Sequence, residues 1–276
     1  MSTGYRRTVP LMRFVLILGA VLTLASGFQL YVLTNHTDEF FAWTIPAGFS
    51  AAIMGAFYWT ACTLSFLSWR RPTWALARVG VPGVTLFVWL TLITTLIHLD
   101  KFHFGGSVTA RFAAWAWLVI YIVDPVLITV AWAIQWRSPG EDPPRARDLG
   151  AGYRGLLSIS AAVLVLLGLT MVAVPNSIVD VTAWPLTPLT SRSIGSWVLA
   201  MGVTFVAMAW EDDAERIRPA AIASLVLPAL LVIGMARYWS EFTWSPSAWA
   251  YIALIADIAV VGAMGIRRLA KPRPVT

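Results

Sequence analysis

Two carboxylic acids stand alone inside long apolar stretches. Asp124 lies midway between Arg111 and Arg137, and Asp257 lies between Glu241 and Arg267, with no other charge in either run. An ionised carboxylate buried in hydrocarbon costs several kcal/mol unless it is partnered. Each acid is therefore expected to face the protein interior. Pro125 follows Asp124 and lacks a backbone donor, which frees the carbonyl of Tyr121 one turn earlier. An acid, a phenol and a free carbonyl at one depth are the materials of a proton or cation site. They equally suit a protonated Asp124 that bonds Tyr121 or Thr129 and ties helices together. Ile258, not proline, follows Asp257, so the second acid is not a copy of the first.

The other residues with chemical potential cluster between apolar runs. His98, Asp100 and His103 occur together, and His36 sits near Asp38 and Glu39. Imidazoles and carboxylates are metal ligands, so His36, His98 and His103 form a conceivable metal set. The five-residue spacing of His98 and His103 misaligns them on one helix by about 140°, which favours plain interfacial anchoring. Glu39 and Asp180 precede helices and are candidates to cap them or to gate an outer cavity. Phosphate-cradling glycine loops, Gly-x-Ser-x-Gly, His-Glu-x-x-His and paired cysteines are absent, and Cys62 is the single cysteine. The sequence thus leans away from an enzyme and specifies no cofactor.

These residues must be held by membrane-spanning helices. Of the 276 residues 58% are hydrophobic and 12% charged, and the mean hydropathy is +0.73. That composition excludes a soluble domain, a disordered chain and a disulfide scaffold. Charged residues mark off eight apolar stretches, each long enough to cross a bilayer at about 20 residues. The sixth and seventh, Arg192 to Glu211 and Arg218 to Arg237, are the shortest between charges. The expected fold is an all-α integral membrane helical bundle of eight transmembrane helices.

Sixteen of the twenty Lys and Arg residues, Lys271 and Arg273 among them, fall on the side of the N-terminus. Only Lys101, Arg111, Arg192 and Arg237 fall opposite. The positive-inside rule then puts both termini in the cytoplasm of a cell with the chain in its cytoplasmic membrane. The +6 net charge serves topology and anionic lipid contact, not nucleic-acid binding. The lipid bilayer is the one partner implied with force, and a small molecule or ion is the other candidate.

The chain also repeats. Shifted by 141 positions, Gly27 meets Gly168, Asn35 meets Asn176, Ala42 meets Ala183 and Trp43 meets Trp184, with Glu39 opposite Asp180. After a slip, Asp124 and Asp257 fall on matching helices at an offset of 133. Two parallel four-helix repeats follow, residues 1–137 and 154–276, joined by a cytoplasmic linker at 138–153. The loop bearing Arg70, Arg71 and Arg78 is predicted to face the one bearing Glu211, Asp212, Asp213 and Glu215, as exposed pairs worth roughly 0–1 kcal/mol each. Of fifteen tryptophans, those at span ends, Trp43, Trp74, Trp136, Trp184, Trp210, Trp239 and Trp244 included, are read as an interfacial belt. Trp59, Trp89, Trp115, Trp117, Trp132 and Trp197 lie deeper, where they would line a lipophilic pocket or face lipid.

The segments Phe41-Ala42-Trp43-Thr44-Ile45-Pro46 and His98-Leu99-Asp100-Lys101-Phe102-His103-Phe104 resemble multi-pass membrane proteins of actinobacteria. The resemblance implies a membrane location and no particular reaction. The reading that these features favour is proton- or cation-linked small-molecule transport, or lipophilic-ligand binding, with Asp124, Asp257 and Tyr121 as binding or relay groups. The alternatives are a membrane scaffold or accessory subunit and an outer-face metal or redox protein.

Overall fold

A computed structural model describes residues 4–270; Lys271 and Arg273 lie outside the described residues. The long helices are α1 (Pro10–Tyr31), α2 (Gly48–Trp69), α3 (Val81–Ile97), α4 (Val108–Trp136), α5 (Ala151–Ala173), α6 (Pro188–Glu211), α7 (Ala214–Arg237) and α8 (Pro246–Ala270). No strand forms among the described residues; isolated bridges pair Tyr5 with Glu141, Arg7 with Thr73 and Trp43 with Phe102. All but α3 are long and apolar enough to cross a membrane. The chain is thus built as a multi-pass helical membrane protein.

The lengths of the helices depart from the charge-to-charge count. α6 and α7, expected to be the shortest, run to 24 residues each because they continue through Arg192, Glu211, Glu215, Arg216, Arg218 and Arg237. α3 is the short one, at 17 residues. Gly80 and Pro82 set its start, and His98 leaves helical geometry at its end (φ −118°, ψ 25°).

Two helices form the centre. The most apolar stretches of α2 and α6 are buried over 72% and 67% of their residues, against 28% for α1, α4 and α8. The outer helices show Leu24, Phe28, Val119, Ile159 and Leu166 on their exposed faces, as a lipid-facing surface requires. α1 lies along α2 and α5 along α6; α7 packs against both α2 and α8, and α3 against both α6 and α4. Glycines allow the closest of these contacts. A methyl group at Gly55 would sit 2.6 Å from the Tyr31 nitrogen, and one at Gly168 would sit 2.6 Å from the Leu199 nitrogen. Small residues at such crossings let backbones approach where lipid offers no hydrophobic drive.

The arginine-rich end is closed by an ion-pair network. Arg78 grips Glu211 through Nε (2.5 Å) and Nη2 (3.0 Å) and reaches Asp142 at 2.6 Å. Arg216 bonds Glu211 at 3.0 Å from the other side. The two loops do face each other, but the central pair is not exposed: the Glu211 side chain is 3% accessible and that of Arg78 19%. Burial alone would lower the Arg78 pKa; its bonds to Glu211 and Asp142 outweigh that and raise it. Segment 138–150 is threaded through the network. Asp213 accepts from the amides of Ala146 (2.5 Å) and Arg147 (2.8 Å), Asp212 accepts from Leu149, and Arg147 donates to the carbonyls of Arg268 and Leu269.

At the opposite end α3 and α7 finish alike. Each passes through a short 3-10 turn, Leu99–Lys101 or Trp239–Glu241, from a cap residue of nearly the same geometry (His98, and Tyr238 at φ −118°, ψ 31°). The chain then bonds a loop from elsewhere: His103 N to Ala42 O (2.9 Å), and Thr243 N to Ala183 O (2.7 Å). Glu241 caps α2, accepting from the amides of Gly48 (3.1 Å) and Phe49 (3.0 Å). A carboxylate there meets the positive end of the helix dipole.

Candidate functional site

A cavity of about 340 Å³ lies where α2, α5, α6 and α8 meet. Its walls are Ile53 and Phe57 from α2, Leu164 and Met171 from α5, Ile194 and Val198 from α6, and Leu254, Ile255 and Ile258 from α8. The loop before α6 supplies Thr182 and Trp184, and α8 adds Ser247 and Tyr251 near the same end. No charged side chain lines it. Amphipathic periodicity explains the placement, since Tyr251, Leu254, Ile255 and Ile258 recur at three- and four-residue steps on one face of α8.

Asp124 occupies a different place. It lines two narrow cavities of about 30 and 60 Å³ between α1, α2, α3 and α4, with Gly19, Ser65 and Val84 in common and Tyr58 and Tyr121 on the larger. The acid does turn inward. Tyr121 and Thr129, its expected partners, are engaged elsewhere. The Tyr121 hydroxyl bonds that of Tyr58 at 2.7 Å, and Thr129 donates to the Pro125 carbonyl at 2.6 Å while accepting from Trp89. The Tyr pair is deeply buried against Phe87, Trp117 and Trp197.

Asp257 has other surroundings. It accepts from Ser160 of α5 at 2.9 Å. α4 packs on α3 and α1, whereas α8 packs on α7 and α5, so the two acids belong to separate contacts. Buried residues recur at the same spacing on α4 (Ala114, Tyr121, Ile128) and on α8 (Ala248, Ile255, Gly262). Asp124 lies three residues after Tyr121 and Asp257 two after Ile255, so relative to the buried face the acids differ by one residue, about 100° around the helix.

The outer-face candidates stay apart. Glu39 and Asp180 are exposed, and the caps expected of them are made by Glu241 on α2 and by Thr187 on α6. Asp100 pairs with Lys101 on the surface at 2.9 Å, and mainly that bond lowers its pKa. His103 ties loops together, touching Thr44 Oγ1 (2.9 Å) and the Phe41 carbonyl (3.1 Å). His36 is exposed beside Phe40. Among the described residues no three His, Cys, Asp or Glu side chains form a group able to hold a metal ion. The tryptophans divide. Trp136, Trp210 and Trp239 are exposed at helix ends, Trp43 and Trp74 are buried, and Trp184 turns into the large cavity.

His98 accepts from Arg192 at 2.8 Å. Burial first, and the guanidinium second, hold its pKa below 6.5. The neutral imidazole is therefore the form that the fold favours. Its contribution is present above the unfolded value of 6.5 and is lost as pH falls through the lower folded value. Thermal stability should drop on acidification from pH 7 across that window, and His98→Gln should flatten the response. An unchanged slope in the variant would assign the acid sensitivity elsewhere.

Comparison with known proteins leaves the geometry to stand alone: no family model, curated protein or solved structure matches the chain.

Proposed function

We propose that the protein binds a lipophilic molecule inside the membrane, in the 340 Å³ chamber, and presents or carries it there. The chamber is the observation that carries this reading. Ligand sites are concave, mostly apolar and typically about 300–1,000 Å³. We further read the chain as eight spans in two parallel repeats of the cytoplasmic membrane, with both termini in the cytoplasm. The matched glycine contacts, the matched turns after α3 and α7 and the matched packing partners support the repeat. So does the stacking of Phe57 on Trp197, equivalent residues that meet at 5.8 Å and 7°.

On that reading the chamber and the Asp124 cavities are the same place in each half. Tyr58, Trp117 and Tyr121 fill the first, with Phe41 packed on Trp117. Thr182, Val198, Tyr251 and Ile255 stand at those positions in the second and leave it open. One half is packed with aromatic rings and the other is hollow, which is how a duplicated fold would acquire a binding site.

Val198→Tyr, which copies Tyr58, should fill the chamber. Purified wild-type protein is expected to retain an apolar molecule, detected by mass spectrometry of its solvent extract, and the variant to retain at least about tenfold less with no loss of folding. Equal retention would refute the reading.

A second reading rests on Asp124. Its carboxyl faces cavities with room for about one or two waters, beside a hydrogen-bonded pair of phenols. That arrangement suits proton exchange. Asp124→Asn would then abolish a pH-dependent flux while leaving insertion intact.

A further inference from the structure

We propose that the chamber opens sideways into the bilayer, between α5 and α8, and takes one acyl chain of a phospholipid from the leaflet remote from the arginine-rich end. This rests on the chamber being a binding site.

α5 and α8 form a wedge. Toward the arginine-rich end they are tied together. The Tyr153 hydroxyl donates to the Val261 carbonyl at 2.9 Å, and Ser160 donates to Asp257 at 2.9 Å. Gly265 lets the helices close there, since a methyl group on it would lie 2.8 Å from the Tyr153 oxygen. Beyond the bond of Ser160 to Asp257 the chamber comes between them. Val163, Leu167 and Met171 line it from successive turns of α5, and Leu254, Ala250 and Ser247 line it from successive turns of α8.

The other sides are closed. Ile53 of α2 and Ile194 and Val198 of α6 are buried behind the chamber. Residues of 178–184 cover its far end, tied down by the bond from the Thr243 amide to the Ala183 carbonyl. On the side between α5 and α8 the lining residues are themselves exposed. Val163 is 49% accessible, Val181 at the edge of the cover is 60% accessible, and Ala250 is exposed. Exposed apolar residues on spanning helices meet lipid tails. The way in is therefore from the bilayer.

Route and lining together select the occupant. Lipid tails are the medium against this gap, and a close-packed interior does not keep so large a space empty. No charged side chain lines the chamber. Thr182 spends its hydroxyl on the carbonyls of Val179 and Trp184, and Ser247 shares a bond of 2.8 Å with Ser245. A polar head would be buried there without partners, so the headgroup stays at the interface and the chain alone is recognised. The dimensions suit one chain. From Ser247 to Ile258 the lining covers about 16 Å of α8, close to the roughly 15 Å of hydrocarbon in one leaflet. The volume of about 340 Å³ is roughly eleven times the share of one liquid water, enough for about ten carbons of a single tail.

The test places the full chain in lipid nanodiscs that contain a trace of phosphatidylcholine or phosphatidylglycerol with a photoreactive diazirine at the end of one acyl chain. Mass spectrometry maps the labelled residues. Both lipids are expected to label the buried wall at Phe57, Met171, Val198 and Ile255 to the same extent. A chain that stays outside cannot reach those positions. Ala250→Trp, at the exposed rim, should cut labelling of the wall at least about tenfold and leave labelling of the exposed α4 residues Val119 and Ile122 unchanged. Val198→Tyr should do the same from within. Labelling confined to exposed faces refutes the acyl chain. The chamber then still stands if wild-type protein retains an apolar molecule that Val198→Tyr loses, and falls if it retains none. Wall labelling that Ala250→Trp leaves intact refutes the opening between α5 and α8. A marked preference for one headgroup overturns recognition by the chain alone.

Discussion

Glu211→Gln is expected to lower the stability of the folded protein by about 3–5 kcal/mol, the usual effect of removing one partner from a buried ion pair. The side chain is enclosed, and two guanidiniums converge on it, Arg78 from the loop before α3 and Arg216 from α7. Neutralising it leaves two cations facing each other with Asp142 as the remaining anion on Arg78. The loss should exceed that of any surface pair in the chain, such as Asp100 with Lys101, which is exposed on both sides. Thermal unfolding in detergent measures it. A double-mutant cycle with Arg78→Gln should show coupling of at least about 1 kcal/mol. A Glu211→Gln protein that melts with wild type would mean that the network is ornamental and that helix packing alone closes this end.

Much of the fold was legible because the solvent is hydrocarbon. Charges are scarce enough that each run between them overlaps one of the eight long helices, although Arg13, Asp124, Arg154, Arg192, Arg216, Arg218 and Asp257 lie within helices. The same scarcity made the meeting of Arg78 with Glu211 readable: in a chain with few charges, opposite signs on two loops at one membrane face find each other. Burial was not readable, because it depends on segment 138–150 folding over the pair. The length of α3 was not readable either, since Gly80 and Pro82 start it three residues after Arg78 and His98 ends it before Asp100, inside the run that those charges bound.

The site shows where such reasoning stops. Asp124 announced itself by its charge, and it does face inward. Its partner was misjudged because Tyr58 lies on a different helix and competes for Tyr121. Asp257 matched Asp124 by residue type, but relative to the spacing of buried residues on their helices the two acids stand one residue apart. The chamber sent no signal at all, since its walls are ordinary apolar side chains from four helices that no charge or motif marks out. Trp184 was assigned to the interfacial belt because it sits at a span end, and the belt and the chamber mouth share that depth.

Asp213→Ala should unlatch segment 138–150 from the rest of the protein. The carboxylate is 2% exposed and accepts from three backbone amides: Arg216 at 3.0 Å, where it caps α7, and Ala146 and Arg147 of the segment. Hydrogen bonds to a charged group contribute about 1.5–3 kcal/mol each. Alanine removes three at once, so a loss of at least about 3 kcal/mol is expected, although some amides will recover water. The effect should be local before it is global. Amides at 144–150 should exchange with deuterium at least about tenfold faster, while those in the centre of α2 and α6 keep their protection. Asp213→Asn should behave between the two, because an amide oxygen still accepts but carries no charge. Uniform acceleration across all helices would instead make the segment a load shared by the whole bundle. Unchanged exchange at Ala146 and Arg147 would mean that the ion pairs of Asp142 and the backbone bond between Ala214 and Arg147 hold the segment without Asp213.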